Sequence, residues 1–327
     1  MTGRRQLLLG LPLVLAAPLA SRAQVPARPG GGAWRVGLLR PSGVTDVERI
    51  VPLMQSLGYQ PNRDLVIESR LADGDASRLP ALAEDLARWP ADLAITVSES
   101  ASRAMRAASS TMPMVMFGNF DPVAAGLAQN LARPGRNATG VMISSEGTLA
   151  AKKLELLKEA MPSLVRVAVL APDDPVTRKQ IDEIGTSAAA LGLDTQVVVV
   201  HGGDYEAAFA AFARGRADAL LVAAHTFFVR DRRIVIDMAA RARLPAIYEW
   251  PEQVRDGGLM SYGPPSLDAM WRRIADYVDR ILRGAKAGEL PIELPARLEL
   301  AINLRTARAI GMTLPPLLLA RATEVIE

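Results

Sequence analysis

Three apolar strand patterns each occur twice in the chain, in the same order and roughly 130 residues apart. Short apolar runs that alternate with helical patterns are typical of strands buried on both faces of a parallel sheet. The repetition therefore predicts an α/β fold in which two similar halves each form a parallel sheet with its own core. The pairs are RVGLLRP (35–41) with RVAVLAP (166–172), ADLAITVS (91–98) with ADALLVAA (217–224), and PMVMFG (113–118) with PAIYEW (245–250).

Between these strands, apolar residues recur at the spacing of amphipathic helices. A further long helix is predicted from Leu267 to Ile281, and Gly284 is placed to end it. Strand and helix thus alternate through both halves, which indicates crossover connections between parallel strands. The other predicted helices are 77–88, 99–109, 148–160, 175–191, 204–214 and 229–242.

A polar, glycine-rich segment at 117–141 follows the third repeated strand of the first half. It is longer than a simple turn requires, and we interpret it as the approach to an interdomain crossing. The segments 257–265 and 298–304 are the other candidate crossings. Three crossings predict two lobes joined by a three-segment hinge. The predicted first lobe is 34–145 with 262–290, and the second is 146–260 with 295–327.

The N-terminal segment has the order of an export signal. Arg4 and Arg5 precede an apolar run, and Ser21-Arg22-Ala23 is a small-residue cleavage site. The apolar run is shorter than the roughly 20 residues that a membrane-spanning helix needs. We therefore expect residues 1–23 to be a signal peptide, cleaved near Ala23, and the mature protein to be periplasmic. The twin-arginine and general export routes both remain open.

Charge and cysteine content exclude several classes of function. Loss of Arg4, Arg5 and Arg22 with the leader would leave basic residues equal in number to the 35 acidic ones. A near-neutral chain without a basic run has no electrostatic footprint for nucleic acid or anionic lipid. The chain contains no cysteine, so disulfides, a thiol nucleophile and an N-terminal lipid anchor are excluded. We expect a freely soluble monomer.

Candidate ligand-binding residues follow from the predicted sheets, because parallel α/β sheets bind ligands beyond the carboxyl ends of their strands. The loops at those ends carry short polar side chains and aromatic rings, which suit a small molecule held by hydrogen bonds and stacking. The candidates are Ser42, Ser98, Glu99, Ser100, Asn119, Asp121, Asp173, Asp174, His225, Thr226, Glu249, Trp250 and Tyr262.

Several candidates have an equally good structural interpretation. Ser98 and Asp121 stand where helix N-caps are expected. His225 is compatible with a hydrogen-bonded histidine at the edge of the core, and Trp250 and Tyr262 with packing. Both interpretations stay open for each of these residues.

Motifs for catalysis are absent from the sequence. It has no G-x-S-x-G elbow, no Walker A motif, no G-x-G-x-x-G after a strand and no paired metal-binding histidines. We expect no catalytic residues, no cofactor and no metal. Carboxylates on loops leave no signature, so an exported α/β enzyme using Asp121, Asp173 or Glu249 remains the alternative. A sensory ligand-binding protein is a further one.

Long segments of the chain resemble the ABC-transporter substrate-binding protein family of the type 1 periplasmic-binding fold. The resemblance implies two Rossmann-like lobes that close on a small ligand and present it to a membrane permease with a cytoplasmic ATPase. Some relatives are similar to receptors for aromatic amino acids, which favours an amino-acid-like or aromatic ligand. The segments are DPVAAGLAQNLARPGRNATGV, AKKLELLKEAMPSLVRVAVL, ADALLV, LPAIYEW, GGLMSYGP and INLRTARAIGMTLPPLLLARATEVIE.

Two ligand-facing positions depart from the family pattern. Many members have Pro-Asp where Ala224-His225 stands, and Gly-Trp where Glu249-Trp250 stands. The ligand of a relative therefore does not transfer to this chain through the resemblance.

Overall fold

The computed structural model describes residues 25–42, 45–144, 149–173, 175–200 and 203–327. Two separate sheets confirm the predicted α/β fold with two lobes. The first sheet is parallel throughout and has the order β2-β1-β3-β4-β5. Its strands are β1 (Trp34–Arg40), β2 (Leu65–Leu71), β3 (Leu93–Val97), β4 (Met114–Gly118) and β5 (Ala138–Met142).

The second sheet repeats this order and then extends it. Five of its strands have the order β10-β9-β8-β6-β7, which matches the first sheet strand for strand. Two more strands follow at the β10 edge, where β11 is antiparallel to β10 and β12 is parallel to β11. The strands are β6 (Arg166–Pro172), β7 (Asp194–Val200), β8 (Ala219–Val222), β9 (Ala246–Tyr248), β10 (Met260–Gly263), β11 (Glu299–Asn303) and β12 (Glu324–Ile326).

Helices cover both faces of each sheet, so the apolar strands are buried as predicted; all five residues of β3 are inaccessible to solvent. The first-lobe helices are α1 (Thr45–Ser56), α2 (Leu79–Arg88) and α3 (Glu99–Ala108). The others are α4 (Ala150–Ala160), α5 (Pro175–Ala190), α6 (Tyr205–Arg214), α7 (Thr226–Arg230), α8 (Arg232–Arg241), α9 (Pro251–Arg255), α10 (Leu267–Leu282), α11 (Leu304–Ala309) and α12 (Pro316–Arg321).

Helix α10 belongs to the first lobe although it follows the second lobe in the chain. It packs on α1 and on β4 and β5. Its apolar side chains share one core with the first sheet, and Trp271 lies edge-on to Phe117 of β4. The predicted helical spacing from Leu267 to Ile281 therefore marks a face that closes the first lobe.

The chain passes between the lobes three times. The passages follow β5, follow β10, and precede β11. In the last passage Glu293 pairs with Val141 at the edge of the first sheet before the chain enters β11. The boundary predicted at 262 does not match this arrangement, because Tyr262 and Gly263 lie in β10, which pairs with β9 and β11 in the second sheet.

The polar segment after β4 does not itself cross between the lobes. It joins β4 to β5, which are neighbours in the first sheet. Phe120 and Leu127 of this segment are buried in the first-lobe core, and Gly135 N–H donates a hydrogen bond to the Gly288 carbonyl (2.9 Å). The segment is long because it packs on the first-lobe core and against the chain near Gly288. The first crossing between the lobes comes only after β5.

Two further predictions concern a helix in the second lobe and the N-terminal segment. The helix predicted at 229–242 is two helices, α7 and α8, which meet at Asp231. Asp231 accepts a hydrogen bond from the Tyr205 hydroxyl (2.7 Å) and binds Arg230, so its side chain ties the break to α6. The predicted signal peptide, residues 1–23, lies outside the described residues. Within the described ranges no helix has the length and apolar character needed to cross a membrane.

Candidate functional site

A cleft of about 1160 Å³ lies between the two lobes. The loops after β3 and β4 form its first wall, and those after β8 and β9, with one face of α5, form its second. This is the carboxyl edge of both sheets, where ligands of parallel α/β folds bind. The predicted candidates that line the cleft are Ser98, Glu99, Ser100, Asn119, Asp121, His225, Thr226, Glu249 and Trp250.

On the first wall, polar side chains are bound to their own backbone. Ser98 caps α3 and accepts a hydrogen bond from Ala101 N–H (3.2 Å). Its φ of 93° lies in the left-handed region that favours glycine. Asp121 accepts hydrogen bonds from the N–H groups of Val123 and Ala124 (2.8 and 3.1 Å). The capping interpretation is therefore realised for Ser98, whereas Asp121 holds a turn in a segment that contains no helix. Both residues also face the cleft.

On the second wall, His225 is likewise bound to nearby backbone, whereas Glu249 and Trp250 are held by tertiary contacts. His225 caps α7, and its Nδ1 accepts a hydrogen bond from Phe227 N–H (3.2 Å). Trp250 is only 3% exposed and packs with the first-lobe core. Gln253 Oε1 accepts from the N–H groups of Glu249 and Trp250 (3.3 and 3.0 Å). This side chain fixes the turn that points Glu249 and Trp250 toward the cleft.

A buried charged cluster of Asn119, Lys153 and Glu249 lies where the two walls meet. Glu249 is 6% exposed and Lys153 of α4 is 3% exposed. Glu249 Oε1 accepts a hydrogen bond from Asn119 Nδ2 across the cleft (2.9 Å) and lies 4.0 Å from Lys153 Nζ. Glu249 and Asn119 line the cleft, whereas Lys153 lies behind Glu249 and does not.

Burial shifts the pKa of both charged groups in this cluster toward the neutral form. It raises the pKa of Glu249, against the opposing influence of Lys153, the Asn119 hydrogen bond and His225. It lowers the pKa of Lys153, against the attraction of Glu249. Each charge opposes the desolvation of the other, so the pairing favours the ionised forms that burial disfavours.

The lobes touch at the mouth of the cleft. Ser42 Oγ, after β1, lies 2.6 Å from Thr226 Oγ1 at the start of α7. Phe227 packs so closely against Gly74 that a Cβ atom there would collide with its ring. The Arg230 guanidinium lies 4.0 Å from the centre of the same ring. Together with the Asn119–Glu249 hydrogen bond, these contacts describe a closed arrangement of the two lobes.

Three predicted candidates lie away from the cleft. Ser42 is fully buried and forms the contact with Thr226. Asp173 is exposed at the end of β6. Tyr262 lies within β10 and packs against the second-lobe core. The strand order explains their positions. The cleft lies at the ends of β3, β4, β8 and β9, whereas these three residues follow β1, follow β6 and lie within β10. Asp174 lies outside the described residues.

Sequence reasoning missed several lining residues and the buried lysine. Thr177 and Gln180, one helical turn apart on α5, are buried and line the cleft. Lys153 had a detectable signal, because it occupies the apolar stripe of α4 together with Ala150, Leu154 and Leu157. A lysine on that stripe has to find a buried partner. The remaining lining residues that were not predicted include Phe117, Phe120, Ile143, Lys179, Glu183, Arg230 and Leu267.

Among the described residues, no group of histidines and carboxylates is arranged to hold a metal ion. The cleft offers aromatic and aliphatic surface from both walls, hydroxyl and amide groups, and a few charges. Such a surface is suited to enclosing and orienting a small molecule.

The two-lobed fold with its interlobe cleft defines a solute-binding protein of the type 1 periplasmic-binding class. Residues 40–326 match the family model of the ABC transporter substrate binding protein. The chain belongs to this family, as its sequence motifs predicted, and the family is one of substrate-binding receptors, not of enzymes.

Individual relatives agree with this assignment. A tyrosine-binding protein of Clostridioides difficile (strain R20291) is 24% identical over 264 residues, which is 80% of this chain and 75% of the relative. The crystal structure of a conserved domain protein from Vibrio cholerae has a TM-score of 0.77 at 23% identity, covering 90% of this chain and 99% of its own. A Streptococcus pneumoniae ABC domain in complex with L-Trp has a TM-score of 0.73 at 22% identity, covering 89% and 100%.

Proposed function

We propose that this protein is the extracytoplasmic receptor of an ABC importer for an amino-acid-like ligand with an aromatic or apolar side chain. One observation carries the proposal: the interlobe cleft is lined from both lobes by apolar rings beside hydrogen-bonding groups. Phe117, Phe120 and Trp250 offer the rings, and Ser98 and Asn119 offer polar groups close by. An amino acid with a ring or branched side chain needs both kinds of surface.

The relatives support the same ligand class. One is named a tyrosine-binding protein, and one structure holds L-Trp. Because Glu249 and His225 depart from the family pattern, we do not extend the choice to one amino acid. The family and the fold support hinge closure as the mode of capture, since the closed lobes here bury the cleft behind the Ser42–Thr226 contact.

The partner in this proposal is a membrane permease with a cytoplasmic ATPase. The family description supports it, because the family consists of substrate-binding proteins of ABC transporters. The N-terminal sequence supports export to the periplasm, with cleavage near Ala23 and no cysteine for a lipid anchor. Fractionation that recovers the protein only with detergent-extracted membranes would contradict this location.

Purification of the mature protein without denaturation, followed by mass spectrometry of co-purifying small molecules, tests the proposed function. We expect a bound amino acid or close analogue, and a calorimetric titration with L-tryptophan, L-tyrosine and L-leucine that ranks them. A ligand returned chemically altered would favour the α/β enzyme instead. If the protein carries no small molecule and binds none, the proposed receptor function is overturned.

A further inference from the structure

We propose that Asn119 and Glu249 form a subsite for the protonated amine of the ligand, and that this pair determines specificity for amine-bearing ligands. The inference deepens the proposed function and rests on it.

The first observation is that Asn119 Oδ1 and the Glu249 carboxylate are neighbouring acceptors, and that no single donor in the described part of the chain serves both. The Glu249 carboxylate accepts only, so the Asn119 amide nitrogen has to face it, which turns Asn119 Oδ1 the other way. Asn119 Oδ1 is buried and has no hydrogen-bond partner among the described residues. Buried acceptors of this kind are costly unless something donates to them. Both side chains line the cleft.

The geometry places the free oxygen of Asn119 beside the Glu249 carboxylate. The amide oxygen and nitrogen of one side chain lie about 2.2 Å apart, and Asn119 Nδ2 lies 2.9 Å from Glu249 Oε1. Asn119 Oδ1 and Glu249 Oε1 are therefore within about 5 Å of each other. An ammonium group that donates a charge-assisted hydrogen bond to Asn119 Oδ1 therefore lies close enough to the Glu249 carboxylate to be attracted by its charge.

Charge selects an amine over an anion at this position. The described lining residues include four carboxylates, Glu99, Asp121, Glu183 and Glu249, against the cations Lys179 and Arg230. Arg230 is bound to Asp231. A cationic group is favoured beside Glu249, while a ligand carboxylate there would meet like charge.

Lys153 supports the subsite from behind without occupying it. Its Nζ lies 4.0 Å from Glu249 Oε1 but does not line the cleft. Its positive charge favours the ionised form of the buried carboxylate, which is the form that binds an ammonium group. The subsite therefore has a carboxylate acceptor on the ligand side and a buried lysine on the protein side.

Calorimetric titration of the wild-type protein with L-tryptophan and with indole-3-propionate, which lacks only the amine, tests the subsite. Loss of hydrogen bonds between an ammonium group and a buried carboxylate should weaken binding about ten- to hundredfold. Equal affinity for the two compounds would overturn the subsite while leaving the receptor function intact.

A double variant, Lys153→Met with Glu249→Gln, provides a second measurement. It removes both buried charges together and keeps a side-chain oxygen near Asn119. We expect the preference for L-tryptophan over indole-3-propionate to shrink to less than about threefold. The exposed Glu155→Gln on α4 is the matched control and should keep the full preference. A full preference in the double variant would overturn the inference.

Mass spectrometry of the co-purifying ligand covers the case in which neither compound binds. A ligand with a protonatable amine supports the subsite. A ligand without one overturns it and still leaves a functioning receptor, so failure of the inference and failure of the proposed function remain distinct.

Discussion

The two walls of the cleft are built on the same strand order but hold their carboxylates in different ways. On the first wall, Ser98 and Asp121 are bound to nearby backbone N–H groups. On the second wall, Glu249 and Trp250 are held by distant partners in the interior. The comparison teaches that the repeat decides where the loops meet, while the residues just after each strand decide the chemistry.

The walls also differ in how they treat charge. The first-wall carboxylate Glu99 pairs with Arg103 on the same helix, at the surface. The second-wall carboxylate Glu249 pairs with a lysine that is almost fully buried. A surface pair contributes little to stability, whereas a buried charge that loses its partner is strongly destabilising. The second wall should therefore respond far more strongly to substitution.

The largest effect is expected for Lys153→Met. It leaves Glu249 buried without its counter-charge, which should lower the free energy of unfolding by about 3 to 5 kcal/mol. Urea denaturation followed by circular dichroism measures it. The neighbouring Lys152→Met, at an exposed lysine, should change stability by less than about 0.5 kcal/mol. Equal losses in the two variants would remove the contrast between the walls.

The next effect is expected at one glycine on the fifth strand of each sheet, Gly140 and Gly263. These two positions test a feature that the lobes share. A Cβ atom at Gly140 would collide with the Met116 carbonyl of β4, and one at Gly263 with the Glu249 carbonyl after β9. Substituting alanine at either should cost about 1 to 3 kcal/mol, because the neighbouring backbone has to shift.

Gly185→Ala is the control for these two variants. Nothing lies within 4 Å of a Cβ atom at this position in α5. The alanine should stabilise the protein by about 0.5 to 1 kcal/mol through helix propensity. Thermal denaturation of the three variants should thus give shifts of opposite sign, and a shared sign would contradict the steric argument.

A smaller effect is expected for Asp121→Ala on the first wall. The carboxylate accepts from two backbone N–H groups of the turn that follows it, and the loss of these hydrogen bonds should cost about 1 to 2 kcal/mol. Asp121→Asn keeps an acceptor and should retain most of the stability. Calorimetric titration of both variants also shows whether Asp121 binds ligand, since only a ligand contact would lower affinity in the stable Asn variant.

The smallest effect concerns the contact that joins the walls. Ser42→Ala removes one interlobe hydrogen bond, which should disfavour the closed arrangement by about 1 kcal/mol. Ligand affinity should fall about fivefold, while the melting temperature of the free protein changes little.

Thr226→Val should have the same effect as Ser42→Ala, because the two hydroxyls share one bond. The double variant should then be no weaker than either single variant. Additive losses would show that the hydroxyls act separately. Small-angle X-ray scattering of the free protein measures the closed population directly.

The two parallel sheets were predictable because three of their strand patterns occur twice in the sequence. Each half shows the same strands, and buried parallel strands have a recognisable apolar pattern. The loops after β3, β4, β8 and β9 could be assigned to the cleft for the same reason. Tyr262 could not be placed correctly, because a segment that reads as a crossing proved to be a paired strand, and pairing depends on distant residues.

Contacts between distant residues explain the other misses. The Lys153–Glu249 pair joins a helix at the start of the second lobe to a loop after β9, so no local pattern reports it. The break between α7 and α8 depends on Tyr205, which lies on another helix. Helical periodicity continues across Asp231, because one residue of altered backbone barely disturbs the spacing of apolar positions.

Helix α10 separates the order of synthesis from the order of folding. The first sheet is complete once β5 has been made, but part of one face, beside α1, stays uncovered until Trp271, Ile274 and Val278 have been synthesised. All of the second lobe's first five strands are synthesised in between. Contacts at such long sequence separation form slowly. The first half of the chain therefore emerges first and is finished late, with an exposed apolar face during the interval.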